Sequence, residues 1–400
     1  MRTVAFACLT ATVCVFASYP TPAATERYHV TDLPSLGGFS RANSINDEGV
    51  VLGYSRPADN ASEVAAAWLF GQVIKVGTLG GPNSDVAWPV KSNVGRIVGI
   101  SQTAAPEGLH ENWSCAPFFA PATSTGFVCR GFVTEFGVLH ELPTLGGENS
   151  YAAGDNRRGQ IAGWAETSLR DPTCEGPGTG KSGQILQFLP VIYGPSPSHV
   201  ETLPLIRGDS SGAATAINDF GLAVGISGDC DQAVGRKTAR HAVLWENGRA
   251  VDIGNGQLPA AWWNTPTAIN DHGVVVGFLG DPRDPTGNIT HAFIWTPRTG
   301  IQRLVPGDYS ASDTDNTTAT GINNHGQVVG YYLAADGQLH GFIWEPERGL
   351  QDLNDLKQPD YMKTIQLAND INDRGQIAGR SLDPVTNNRI AIVINPVDPD

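Results

Sequence analysis

Asn316-Thr-Thr-Ala-Thr-Gly-Ile-Asn323, followed by Asn324-His325-Gly326 and then Val328-Val329-Gly330-Tyr331-Tyr332, is the stretch from which the fold can be read. The first run is small and β-branched, suited to a strand in a crowded place. Asn324-His325-Gly326 reads as a tight turn, with Asn and Gly expected to supply the positive φ of a hairpin connection. Val328–Tyr332 is then a second strand. A polar connection leads to a third, His340–Trp344, and Pro346–Gly349 turns the chain into a fourth, Leu350–Leu353.

The same phrase returns seven times, anchored on Gly49, Gly95, Gly159, Gly221, Gly273, Gly326 and Gly375. Each anchor is followed four residues on by a second glycine: Gly53, Gly99, Gly163, Gly225, Gly277, Gly330 and Gly379. The anchors are 46, 64, 62, 52, 53 and 49 residues apart, a constant core with stretches between cores. That pattern marks a repeat architecture in which one supersecondary unit recurs. Fourth strands are expected to end in Thr78-Leu79-Gly80-Gly81, Thr144-Leu145-Gly146-Gly147 and Ser35-Leu36-Gly37-Gly38. Lys91-Ser92 and Asp155-Asn156 stand where Ile-Asn is expected, so repeats two and three are degenerate.

A four-stranded antiparallel sheet cannot bury both faces alone, and radial stacking does so while protecting edges. Seven units predict an all-β, seven-bladed β-propeller. The chain opens with a lone fourth strand, 28–33, and closes with a third strand, Arg389–Ile394, that lacks a fourth. The two are expected to pair and close the ring; a linear β-solenoid would leave both unpaired. The Ile-Asn-x-x-Gly-x-Val-Val-Gly core, with His291-Ala-Phe-Ile-Trp295, resembles the HAF-repeat family of extracellular repeat proteins. The resemblance implies this fold and export, and brings no chemistry with it.

Composition agrees. Glycine (47) and proline (27) are abundant and charged residues are 16%, which suits strands and turns rather than helices. The net charge is −14 and no Lys/Arg cluster occurs, so no nucleic-acid partner is expected. Arg2 and the apolar run from Val4 to Ala17 read as a signal peptide over 1–24, cleaved somewhere in 17–24. Residues 25–400 are then one propeller domain, expected as a monomer with no membrane insertion, in the periplasm, at the cell surface or in the medium. Cys115, Cys129, Cys174 and Cys230 lie beyond the signal, and an even count in an oxidising compartment favours disulfides. Cys115–Cys129 and Cys174–Cys230 are the expected pairs among three connectivities.

Function is less legible. The connections from second to third strands are long (about 102–128, 165–184, 228–239 and 280–289) and share one face. Long loops on a rigid scaffold are where binding usually resides. His110, Glu111, Trp113, Phe118 and Phe119 cluster in the first; Trp262, Trp263 and Asn264 lead into the fifth blade; Trp88 stands where other blades have Ala (Ala42, Ala152, Ala214, Ala319, Ala368). Aromatics beside acids suit sugar rings, although aromatics also fill gaps under long loops. The predicted role is a binding module for a glycan or another exported protein. A polysaccharide hydrolase or lyase using paired loop carboxylates is the alternative; the loop acids include Asp85, Asp209, Asp281, Asp313 and Asp315. Asp313-Thr-Asp315-Asn316 resembles part of a calcium loop but lacks its downstream Gly and Glu, so no cofactor is expected, with a structural calcium as the lesser alternative. The repeated Asn-Asp-x-Gly reads as turn chemistry. His241, His291 and His340, on separate blades, read as structural.

Overall fold

The computed structural model describes residues 27–88, 95–111, 118–119, 126–174, 183–230, 239–254, 263–281, 284, 289–306 and 315–397. They form seven four-stranded antiparallel sheets, one per repeat. Blade one spans 37–77, blade two 80–141, blade three 146–202, blade four 211–252, blade five 263–303 and blade six 317–352. Blade seven takes three strands from 364–396 and its outermost from Tyr28–Asp32.

That last pairing closes the ring as the unmatched ends require. Tyr28 stands opposite Pro396, Val30 opposite Ile394 and Asp32 opposite Ile392. Gln358, just beyond the four-residue helix Leu353–Leu356, clamps the strand: it accepts from Val30 N–H at 2.8 Å and donates to the Val30 carbonyl at 2.9 Å. Tyr28 and Val30 are buried with Leu353, Leu356 and Ile394. Apolar side chains from adjacent blades interdigitate in the same way around the ring, as where Ala42, Ile45 and Trp68 of blade one meet Ala378 and Ala391 of blade seven.

The glycine pair explains why the core phrase is constant. Gly326 has φ +78° and donates its N–H to the Asn323 carbonyl, closing the hairpin between first and second strands. Asn324 does not share that conformation; the Asn side chains act instead through hydrogen bonds, Asn323 Oδ1 accepting from His325 and Gln327 N–H. The second glycine answers close backbone approach. A Cβ at Gly277 would lie 2.2 Å from the Thr265 carbonyl oxygen, and one at Gly330 2.0 Å from that of Thr318.

Two sequence expectations need correction. Leu-Gly-Gly does not end a fourth strand: Gly37, Gly80 and Gly146 open the inner strands of the next blades. Their φ values of +112°, +105° and +109° let the chain turn from the rim back toward the axis. Trp88 does not occupy the Ala position of blade two. Register places Asp85 opposite Ile100 as Arg41 is opposite Tyr54, so Val86 is the counterpart of Ala42 and Trp88 lies two residues further on.

Every inner strand except that of blade two is broken by a bulge at one place, skipping Asn43, Ala153, Thr215, Thr267, Thr320 and Asn369. A bulge re-aims the extra residue. Five of these side chains donate to a main-chain carbonyl of the next blade: Asn43 to Val86 (2.8 Å), Thr215 to Pro266 (2.7 Å), Thr267 to Ala319 (3.0 Å), Thr320 to Ala368 (2.8 Å) and Asn369 to Ala42 (2.7 Å). The small polar residues of the inner strands are therefore blade-to-blade ties as well as good fits to a crowded place.

Candidate functional site

The channel has two unlike ends. At the short-hairpin end the Asn-Asp turns converge. Asn156, Asn218, Asn270, Asn323 and Asn372 each donate a side-chain N–H to the carbonyl of the corresponding Asn one blade on, at 2.9–3.1 Å. The next residues form a second chain. Arg157 N–H donates to Asp219, Asp219 to Asp271, Asp271 to Asn324, Asn324 to Asp373 and Asp373 to Asp47, at 2.8–3.0 Å. Arg157 also places its guanidinium between Asp47 (3.3 Å) and Asp219 (3.2 Å). The cavity these residues line holds about 50 Å³, room for a few waters. The turn role expected for Asn-Asp is thus accompanied by a role as the ring's fastener, which a single repeat cannot display.

Above this mouth the channel is crossed. Trp88 of blade two donates its indole N–H to the Thr267 carbonyl of blade five at 3.0 Å. Trp88 and Phe118 both pack against the buried cluster that contains Tyr151 and Trp164, with Phe118 stacked on Tyr151 at 5.1 Å.

At the long-loop end the connections of blades two, three and four are tied together. Cys174 and Cys230 form a disulfide between the connections of blades three and four. Cys129 is also disulfide-bonded; Cys115, its expected partner, lies outside the described residues. Glu111, in the connection of blade two, accepts at one oxygen from Ile185 (2.7 Å) and Leu186 (2.5 Å) N–H, where the third strand of blade three begins. Burial, ahead of the nearby Glu166 charge, pushes its carboxyl up to about 7. His110 beside it adopts φ +59°.

The remaining expected site residues do not assemble into one pocket. Trp263 is buried at the start of the inner strand of blade five, edge-on to Phe278 at 5.8 Å. Asn264, also buried, donates to the Arg240 carbonyl at 3.2 Å. Asp315 lies 2.5 Å from His291 Nδ1 and pairs with Arg303. Trp113, Trp262 and Asp313 lie outside the described residues. The other recurrent histidines also hold carboxylates, His241 with Asp252 (2.8 Å) and His340 with Asp352 (2.6 Å), which is the structural role expected of them. Asp209 accepts from Ser227 at 2.5 Å, and Asp281 is buried 3.9 Å from His291.

Between blades one and two lies a group of which the sequence singled out only Asp85, and that as a loop acid, whereas it ends the buried inner strand of blade two. Buried Glu63 pairs with Arg56 at 2.5 Å, near Arg41, Tyr54 and buried Asp85. Burial raises the Glu63 carboxyl to about 7 and holds that of Asp85 well above its usual range. Asp171, Cys174 and Cys230 bring one oxygen and two sulfurs within 4.8 Å, but the sulfurs are bonded to each other. No helix among the described residues is long and apolar enough to cross a membrane.

The model of a protein family of unknown function, DUF3466, matches residues 207–391. No curated protein matches the chain. Among solved structures, the chain is similar to the acylaminoacyl peptidase of Pyrococcus horikoshii, with a TM-score of 0.50 and 8% identity over 90% of this chain and 51% of that one. It therefore spans about half of that peptidase's length. It is also similar to the β-propeller domain of the Trilobed protease from Pyrococcus furiosus, with a TM-score of 0.48 and 12% identity over 81% of this chain and 84% of that one. At these identities the likeness is one of fold and carries no activity.

Proposed function

We propose that this chain is an exported binding module whose long-loop face engages a glycan or another exported protein. The observation that carries the reading is the bracing of that face. Cys174–Cys230 links the connections of blades three and four, and Glu111 links the connection of blade two to blade three. Loops held before a ligand arrives lose less freedom on binding, which is how a rigid scaffold favours recognition. The disulfide also fits an oxidising, extracytoplasmic compartment. Cleavage of a polysaccharide has less support, because the described loop acids Asp209, Asp281 and Asp315 are engaged in internal hydrogen bonds and ion pairs.

The test is a glycan array and an exported-protein panel probed with the oxidised chain and with the double variant Cys174→Ser/Cys230→Ser. A ligand retained by the oxidised chain and bound at least tenfold more weakly by the folded double variant supports the reading. Ligand binding that is indifferent to the disulfide places recognition elsewhere, and no ligand up to about millimolar concentration overturns it.

A further inference from the structure

The sequence has no run of basic residues, yet the fold gathers four arginines at the seam where blades seven and one close the ring. Arg56 lies near the end of the second strand of blade one, and Arg380 near the end of that of blade seven; Arg389 opens the third strand of blade seven. All three therefore stand at the long-loop end. Arg380 is opposite Ala391, which makes Arg389 its diagonal neighbour on the same face of the sheet. Arg389 and Arg56 both approach the Phe39 ring, their guanidinium carbons 5.7 and 6.0 Å from its centre. Arg41, opposite Tyr54 in blade one, reaches blade seven by donating to Asn369 at 3.0 Å.

Only Arg56 is answered, by Glu63. Among the described residues no carboxylate lies within ion-pair distance of Arg41, Arg380 or Arg389. Glu63 and Asp85 are within electrostatic reach of Arg41, but burial holds both carboxyls toward the neutral form. The groups that bear on Arg380 are Arg41, Tyr54, Arg389 and Tyr331, two guanidiniums and two phenols. Burial and the two like charges pull Arg380 down to about 10. Its acceptor is Gln366, at 3.0 Å, and Nε of both Arg380 and Arg41 is sealed without one. The Nη1 groups of this pair also lack a protein acceptor, but they are not sealed, and both residues are half-buried. Stacking on Phe39 orders Arg56 and Arg389 without neutralising either. Like charges gathered without an internal partner oppose folding unless an anion from outside meets them.

We infer that Arg41, Arg380 and Arg389 form a site for an oxyanion, the carboxylate or sulfate of an acidic glycan. Guanidinium forks match such groups in shape and charge. The half-buried rings of Phe39, Tyr54 and Tyr331 beside them suit the faces of sugar rings. A chain of net charge −14 repels dense polyanions, so a local patch of this kind selects a ligand whose charges are spaced apart. The inference rests on the binding role proposed for the long-loop face and assigns its ligand class at blades seven and one.

The experiment is calorimetric titration of the folded, oxidised full chain at about pH 7 with oligomers of matched length, each up to about 5 mM. They are an oligogalacturonate, a sulfated oligosaccharide, an uncharged oligosaccharide and an oligoglutamate. The expected result is binding of the carboxylated or the sulfated sugar, the stronger of the two naming the anion, and no heat from the uncharged one. Raising NaCl from about 50 to about 500 mM weakens that binding at least tenfold. Arg380→Gln and Arg389→Gln each weaken it at least tenfold too. Because the unpaired guanidiniums repel one another, neither substitution lowers the Tm of the ligand-free chain, which loss of a purely structural arginine would do. Arg389→Gln, at an exposed position, decides where Arg380→Gln fails to fold. No binding of either acidic sugar, equal binding of the uncharged one, tighter binding of oligoglutamate, binding undiminished in the variants, or a ligand-free Tm lowered by both overturns the assignment. A ligand that responds to the Cys174–Cys230 disulfide and not to these arginines overturns it as well, and leaves the broader role of the face standing.

Discussion

The indole N–H of Trp88 meets the main-chain carbonyl of Thr267 at 3.0 Å, joining blade two to blade five across the axis of the ring. Thr267 is itself a bulge residue whose hydroxyl donates to Ala319 of blade six and to Val276 of its own blade. Trp88 and Thr267 together thus link blades two, five and six across the axis. Replacing Trp88 by Ala is expected to cost about 2–4 kcal/mol, through lost burial and an unpaired carbonyl. Trp88→Phe, which retains most of the volume, costs about 1 kcal/mol. Chemical denaturation measures both; a Trp88→Ala variant within about 0.5 kcal/mol of the parent would remove the indole from the list of structural ties.

Closure of the ring rests on a strand far in sequence from its partners. Val30→Asp places a charge where Val30 now packs against Leu353 and Ile394, and is expected to cost about 3 kcal/mol or more. Gln358→Ala strips the clamp from both main-chain groups of Val30 and costs about 1–3 kcal/mol. Limited proteolysis within 28–33 should accelerate in both variants, and unchanged cutting would show that the strand is held by other contacts.

The Asn fastener predicts a large contrast between neighbours in one turn. Asn270 donates to the Asn323 carbonyl at 3.1 Å and accepts from His272 (3.1 Å) and Val274 (2.9 Å) N–H. Asn270→Ala abandons all three and should cost about 2–3 kcal/mol. His272→Ala, at an exposed position two residues away, should change stability by less than about 0.5 kcal/mol. Equal effects at the two positions would refute the fastener.

Glu63 gives the fold a pH signature. Its carboxyl, raised by burial to about 7, binds a proton in the folded chain that it releases more readily when unfolded. The folded state therefore holds more protons between the ordinary glutamate value and about 7. Stability from this group is full below that window and is lost as pH rises through about 7. Asp85, shifted in the same direction, adds to the trend, while Arg56 and Arg41 oppose it without cancelling it. Unfolding followed from about pH 5 to 8 should show falling stability, with a flatter profile in Glu63→Gln. A parent profile that rises over this range contradicts the buried, protonated carboxyl.

Much of the fold was legible because its determinants are local. Alternating strand residues, a glycine at positive φ and a second glycine against a carbonyl repeat with every unit, and unmatched end strands require each other. The site was less so. Glu111 and Trp263 looked like ligand-facing residues beside other acids and aromatics, yet one caps a strand of the next blade and the other fills its own sheet. Asn218 and Asn270 looked complete as turn residues, yet the side-chain N–H of each goes to a neighbouring blade.

From the amino-acid order alone followed the number of blades, the strands within each, the ring's closure and one disulfide, since those depend on register and spacing along the chain. Folding in three dimensions decided which side chains meet from blade to blade: Trp88 with Thr267, Asn43 with Val86, Glu111 with Leu186. Those partners are 43 to 179 residues apart. Their meeting is set by how neighbouring blades are placed around the ring, a quantity that no single repeat contains.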